Sequence, residues 1–293
     1  MTVYCLGSIN ADHVYSVPHL PVPGETIAAH GLTRGLGGKG ANQSVAAARA
    51  GADVVHIGAV GPDGDWAVAR LAGFGIDTAP VAVVEDPTGH AIINVGADGE
   101  NAIVIYPGAN LRQGDARIAA ALAQAGPGDT LLLQNETSHQ VQAACLAAAQ
   151  GLRVIYSAAP FDLDAVASVL PHVSLLAVNA IEAAQLDAAF GAARGAEVIV
   201  TEGAQGACWR FDGGEVRVPA FPVQAVDTTG AGDCFIGSVA AALDRGLDRA
   251  GALRFASAAA ALQVTRLGTA DAIPSRTEVE AFLGRVQDPA KGA

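Results

Sequence analysis

TLLLQ (130–134), RVIY (153–156), VSLLAV (173–178) and EVIVT (197–201) are four short apolar runs in the middle of this 293-residue chain. The segments between them, 138–149, 162–169 and 180–188, read as helices, and a further helix over 114–125 comes just before. A strand that is apolar at consecutive positions is covered on both faces. Alternation of such strands with helices predicts an α/β fold, a mostly parallel central sheet with helices on both sides.

Working outward, TVYCLG (2–7) and VVHIGAV (54–60) read as two more buried strands. Residues 41–50 read as a helix with Ala41, Val45 and Ala48 on one face, and 63–74 as another. Two stretches break the rhythm. Residues 12–33 are turn-rich, with Pro18, Pro21, Pro23 and Gly24; residues 81–106 hold the strand-like pieces VAVV, HAIINV and NAIVIY, with a hairpin turn at Ala97-Asp98-Gly99-Glu100. Both are expected to be insertions into one domain spanning 1–293, building a small antiparallel β-sheet that stands off the main sheet as a lid. On the C-terminal side a hairpin at 206–218 precedes helices at 231–244, 248–264 and 276–286, and the tail after Pro289 is expected to fray.

Composition narrows the function. Hydrophobic residues make up 51% and charged residues 16%, ample material for a core, and the net charge is −12. Neither a nucleic-acid surface nor an anionic-membrane surface suits that charge, since both need a basic face. Cys5, Cys145, Cys208 and Cys234 have no CxxC spacing, so free thiols are expected rather than zinc or a disulfide framework. The opening MTVYCLGSIN has no basic region and no long apolar stretch, and the alanine-rich runs at 46–50 and 256–262 are too short to span a bilayer. A cytoplasmic location is expected.

The chemistry is concentrated in Asp227-Thr228-Thr229-Gly230-Ala231-Gly232-Asp233, which runs straight into the helical Cys234-Phe235-Ile236-Gly237-Ser238-Val239. A helix N-terminus offers unpaired N–H groups and a partial positive charge, and glycines let backbone approach a phosphate closely. Asp233 would sit in that first turn and repel a merely bound anion. It makes better sense as a base that takes the proton of an attacking hydroxyl while the amides hold the transferring phosphoryl group. The same heptad also suits an ordinary loop-to-helix cap, because acids favour first turns.

A second glycine cluster, Gly35-Leu36-Gly37-Gly38-Lys39-Gly40-Ala41-Asn42-Gln43, is not a Walker A loop, since no Ser or Thr follows Gly-Lys. Gly7-Ser8-Ile9-Asn10 likewise lacks the glycines of a dinucleotide fingerprint, which argues against an NAD-dependent oxidoreductase. Gly37-Gly38 would let backbone approach a ligand. Asn42 could grip a sugar's hydroxyls together with Asp12, though Asn10, Asp12 and Asn42 also suit turns and caps.

GSINADH at 7–13, GGKGANQ at 37–43 and DTTGAGD at 227–233 together resemble, in order and spacing, the ribokinase-like (PfkB) family of carbohydrate kinases, over essentially the whole chain. The resemblance implies a three-layer α/β/α fold with a lid that also forms a homodimer contact. It implies Asp233 as catalytic base and Gly230, Ala231 and Gly232 as the anion hole. Asn10, Asp12, Gly38, Lys39, Asn42 and Glu136 match the sugar-binding set. Thr201, Glu202, Gly203, Ala204, Gln205 and Gly206 resemble the nucleotide-binding turn, joined by Asn179, Gly232 and Ser257. Glu182 matches the acid of an NxxE motif that organises Mg²⁺ through water. Asp227, Thr229, Gln263, Arg266 and Gly268 lie where the family places K⁺. This chain departs from the ribose-binding pattern at Ser157-Ala158-Ala159-Pro160 and from the cation pattern at Ala272.

The expectation is therefore an ATP-dependent kinase for the primary hydroxyl of a small sugar, D-ribose first, using ATP, Mg²⁺ and K⁺. Two alternatives remain: a kinase for another sugar or a nucleoside on the same fold, and a sugar-binding regulator with a dead site.

Overall fold

The computed structural model describes residues 1–191 and 195–287, so the tail expected to fray lies outside the described residues. In chain order these form β1 (Thr2–Leu6), β2 (Asn10–Ser16), β3 (Gly31–Gly37), α1 (Lys39–Arg49), β4 (Asp53–Val60), α2 (Asp65–Gly73), β5 (Val81–Val83), β6 (Gly89–Val95) and β7 (Asn101–Tyr106). Next come α3 (Asp115–Leu122), β8 (Thr130–Gln134), α4 (Gln140–Ala149), β9 (Arg153–Ser157), α5 (Leu163–Val169), β10 (Leu175–Asn179), α6 (Ala180–Phe190) and β11 (Glu197–Thr201). The chain closes with β12 (Ala207–Phe211), β13 (Gly214–Val218), α7 (Ala231–Asp244), α8 (Arg249–Gln263) and α9 (Arg276–Gln287).

The apolar runs pair as the sequence predicts. One sheet has the order β13-β12-β11-β10-β9-β8-β1-β4-β5. Its strands run parallel except β12 and β13, which extend the edge as an antiparallel hairpin. Side chains alternate between two cores, as the two-residue period of a strand requires. Leu132, Ile155 and Ile199 pack with α1, α2, α7, α8 and α9. Leu131, Leu133, Tyr156 and Val198 face α3 to α6 on the other side. The result is the expected three-layer α/β/α arrangement.

The four-stranded second sheet has the order β3-β2-β6-β7, with β2 and β6 parallel and both outer pairs antiparallel. It differs from the expected antiparallel sheet in that central pair, since β2 and β6 come from two separate excursions rather than one hairpin, and it differs in its borders. Asn10 opens β2, so the sheet begins two residues before the expected insertion. Val81–Val83 does not belong to it at all, but pairs with Gly58–Val60 on the edge of the main sheet. Helix α1 also starts earlier than predicted, at Lys39, because Gly38 takes a left-handed φ of 92° that starts the turn.

All four cysteines are free. Among the described residues, no helix is long and apolar enough to cross a membrane.

Candidate active site

The chain leaves β1 toward β4 on one side and later takes up β8 on the other, so order reverses at β1. Open α/β sheets bind ligands beyond the strand ends at such a reversal. Here Gly7 to Ile9 lead from β1 into the second sheet, Glu136 follows β8, and α1 and α7 meet nearby. Gly237 permits that meeting: a Cβ there would overlap the Gln43 carbonyl and press on Ala46. The close approach carries Asn42 and Gln43 of α1 onto Asp233 of α7.

Asp233 is buried, and each of its oxygens accepts one amide. Asn42 Nδ2 donates to Oδ2 at 3.2 Å and Gln43 Nε2 to Oδ1 at 3.0 Å. Burial raises the carboxyl's pKa above the usual range, with Glu136 adding to the rise, while Lys39 and the two amides oppose it. A raised carboxylate is a stronger proton acceptor near neutrality. Asn42 Oδ1 is buried without a partner among the described residues.

Helix α7 begins without a side-chain cap, behind Gly230 at a left-handed φ of 75°. The amide of Ala231 is spent on Thr228 O at 3.2 Å and that of Cys234 on Gly230 O at 2.9 Å. Among the described residues the amides of Gly230, Gly232 and Asp233 donate to no acceptor, so of the expected anion hole Gly230 and Gly232 keep open donors and Ala231 does not, while Asp233 adds one the sequence reading did not count. Gly232 lines a cavity of about 580 Å³ together with Ala231, Thr201, Gly203, Ala204, Gly206 and Ser257. Phe221, Pro222, Val223 and Phe235 supply its apolar wall. The Ser257 hydroxyl is buried with no partner. Glu202 and Gln205 of the same turn are absent from the lining, and Glu202 instead accepts from Arg217 Nη1 at 3.1 Å.

The expected sugar-binding residues lie on the other side of Asp233. Ser8 Oγ donates to Glu136 Oε2 at 2.5 Å, and the Lys39 amide donates to the same oxygen at 3.1 Å. Asn10 Oδ1 accepts from Asn110 Nδ2 at 2.7 Å, while Asn110 Oδ1 accepts from the Ile9 amide at 2.9 Å. A second cavity, about 420 Å³, runs from Asn10 and Glu136 past Asn110 and Thr137 to Ile105, Leu111 and Pro160. Asp12 is half-buried in β2, and burial together with the Glu136 charge pushes its carboxyl up to about 6. Asn10 and Asp12 are thus strand residues rather than turn residues.

The glycines of the second cluster also admit close contacts within the protein. A Cβ on Gly37 would overlap the Asp12 carboxylate, and one on Gly38 would sit 2.7 Å from Ser8 O. They let protein approach protein, which then shapes the sugar side.

Asn179 and Glu182 close on one another. The Asn179 amide donates to Glu182 Oε2 at 2.8 Å and the Glu182 amide to Asn179 Oδ1 at 2.9 Å, a capping box at the start of α6. Asn179 is in register with Thr201, which places the box beside the first cavity. Glu182 Oε1 stays uncommitted, and among the described residues no group of three or more His, Cys, Asp or Glu could hold a metal ion. That donor set suits Mg²⁺ held mainly by phosphates and water.

Asp227 accepts from the Thr229 amide at 2.9 Å and the Gly268 amide at 3.0 Å, bonds that outweigh burial and hold its pKa below the usual range. Gln263 Nε2 donates to Thr229 O at 2.8 Å, and Gln263 Oε1 is buried with no partner among the described residues. A carboxylate, a carbonyl and an orphaned amide oxygen form a donor set that fits a monovalent cation. Arg266 turns its guanidinium away to Glu278 at 2.7 Å, leaving only its backbone for such a site.

Gln43, Gln134, Ser8 and Asn110 were missed in the sequence. Gln43 stood inside the quoted motif, but a neutral amide in a helix carries no local sign of burial.

Residues 2–276 match the pfkB family of carbohydrate kinases. The chain is 39% identical over 302 residues to a ribokinase of Haemophilus influenzae, covering 96% of this chain and 98% of that protein. It is 36% identical over 290 residues to a ribokinase of Bacillus subtilis, covering 95% of this chain and 98% of the relative. Its fold matches that of an Arabidopsis thaliana ribokinase complexed with ribose and ATP, with a TM-score of 0.87 at 31% identity, over 96% of this chain and 98% of the other.

Proposed function

We propose, from the premise that this chain belongs to the pfkB family of carbohydrate kinases, that it transfers the γ-phosphoryl group of ATP to the primary hydroxyl of D-ribose, giving ribose 5-phosphate and ADP. The observation that carries the reading is one junction: a buried carboxylate with a raised pKa in the same first helical turn as two unspent amides. Asp233 removes the hydroxyl proton as the oxygen attacks, and the amides of Gly232 and Asp233 stabilise the charge on the phosphoryl oxygens. Asn10, Asp12, Gly38, Lys39, Asn42 and Glu136 hold the sugar. Thr201, Gly203, Ala204, Gly206 and Ser257 line the nucleotide side.

Mg²⁺ would be held by nucleotide phosphates with Glu182 acting through water, and K⁺ by Asp227, Thr229 and Gln263 with the backbone of Arg266 and Gly268. Both would supply positive field to the phosphoryl group. The second sheet serves as a lid that excludes water. Its outer strand β7 exposes Ile103, Val104, Ile105 and Tyr106, which supports a homodimer through this sheet. Four free thiols support a reducing, cytoplasmic setting.

A nucleoside is the second reading, favoured by the apolar wall of Ile105, Leu111, Pro107 and Pro160 beside the sugar residues. An ADP-release assay over ribose, deoxyribose, fructose and nucleosides, with and without K⁺, tests both. Asp233→Asn is expected to lower turnover at least about 100-fold with sugar affinity within about threefold. Turnover within about threefold of wild type would remove Asp233 from the role.

A further inference from the structure

Asp233 is gripped from behind by an amide that is itself gripped. Gln43 is fully buried, and while its Nε2 donates to Asp233 Oδ1, its Oε1 accepts from Gln134 Nε2 at 2.8 Å. Gln134, at the end of β8, is equally buried. Its Nε2 also faces Cys5 Sγ at 3.5 Å, its backbone carbonyl accepts from Gln140 Nε2 at 2.7 Å, and its own Oε1 is buried with no partner among the described residues, so the Gln134 amide is oriented by its donor end. A side-chain amide has two unlike ends, one accepting and one donating. With its oxygen committed to Gln134, Gln43 has only N–H to offer the carboxylate. Were Gln43 turned over, two acceptors would face each other unless Asp233 kept a proton, and a protonated Asp233 cannot act as base.

We infer that Gln134 acts through Gln43 as a pair of positioning residues, a two-amide relay that fixes the orientation of Asp233 and holds it in the ionised, proton-accepting form. Oδ1 is thereby tied to the protein interior, and Oδ2, beside Asn42, is left toward the sugar site. The relay rests on the reading of Asp233 as the base. The charged and titratable groups around Asp233 are Lys39 of α1, Glu136 after β8, Cys5 of β1 and Cys234 of α7 itself, with Arg266 beyond α8 acting on Cys234. Burial pushes Cys5 up to about 11 and Cys234 up to about 12, so neither thiol titrates in the working range.

Gln134→Glu tests this by reversing polarity at constant shape. A carboxylate at 134 draws the Gln43 N–H toward itself and turns the Gln43 oxygen on Asp233. Expected are a fall in kcat of about 10- to 100-fold, a rise of about one pH unit in the acid limb of kcat/KM, and KM for ribose and ATP within about threefold. Gln43→Met, which fills the space without a donor, should move the same limb the same way, and adding Gln134→Glu to it should cost little more. A role in packing alone would lower thermal stability and leave the pH profile in place. If Gln134→Glu does not fold, Gln43→Met decides. An unmoved acid limb with kcat within about threefold in the folded variant overturns the relay. Asp233→Asn run alongside separates the two ideas: its inactivity with an unmoved Gln43→Met profile sinks only the relay, whereas an active Asp233→Asn sinks the base itself.

Discussion

Gly232→Ala should separate stability from function. Gly232 lies in the first turn of α7, and a Cβ built on it meets nothing within 4 Å. The protein therefore has room for alanine, and glycine to alanine within a helix is worth up to about 1 kcal/mol. For a chain of this size that gain raises the melting temperature by about 2 °C. The same methyl group, however, adds bulk in the first turn of α7, beside the cavity that Gly232 lines and against the turn where the proposed reaction puts the phosphoryl group. Losing one amide donor to that group costs about 10²- to 10³-fold in turnover. Thermal unfolding and ADP release measured on one preparation give both numbers. Turnover within about threefold of wild type, at unchanged or higher melting temperature, would refute the placement of the phosphoryl group against this turn.

Gly37→Ala is the opposite case, because its methyl group would strike the Asp12 carboxylate. The displaced carboxylate should raise the sugar KM about 10- to 100-fold, the loss of one charged hydrogen bond, with a smaller effect on the ATP KM. With its carboxyl pushed up to about 6, Asp12 takes up a proton as pH falls through that value. A neutral Asp12 accepts hydroxyl bonds poorly, so the sugar KM should rise below pH 6 by up to about tenfold per unit, and Asp12→Asn should flatten that rise. His56, fully buried between Ser44 Oγ at 2.8 Å and Gly7 O at 3.2 Å, is lowered by burial to about 4. The unfolded chain, where His titrates near 6.5, then binds more protons between pH 4 and 6.5. Stability should rise with pH across that window by about 3 kcal/mol, and denaturant titrations of His56→Gln should lose this part of the slope.

The main sheet was legible because parallel strands covered on both faces read as unbroken apolar runs, and Leu131, Leu132 and Leu133 need no partner to announce that. The second sheet was legible only as an excursion. GLTRGLG at 31–37 has neither alternation nor bulk, and its pairing with Asn10–Ser16 is decided by register across the turn. Val81–Val83 was assigned to the wrong sheet for a related reason. Three apolar residues specify a strand but not a neighbour, and only the parallel pairing with Gly58–Val60 places them.

For the site, local chemistry was legible and reciprocal contact was not. Gly232 and Asp233 sit where the helix-terminus argument put them, because amide direction and dipole follow from a few consecutive residues. Gly37 defeats such reasoning: its lack of a side chain answers to Asp12, which reaches it from another strand. Gln43 defeats it more completely. A buried amide gains most when both ends are engaged, and both ends of Gln43 are, by Gln134 and Asp233, partners 91 and 190 residues away that no local pattern reveals. Glu182 stands between these cases. Its capping bond to Asn179 was implicit in a spacing of three, and that bond bears on the catalytic reading. By spending Oε2 on the helix end, it fixes the carboxylate, so that on the proposed reading Oε1 would be the oxygen to take up a metal-bound water.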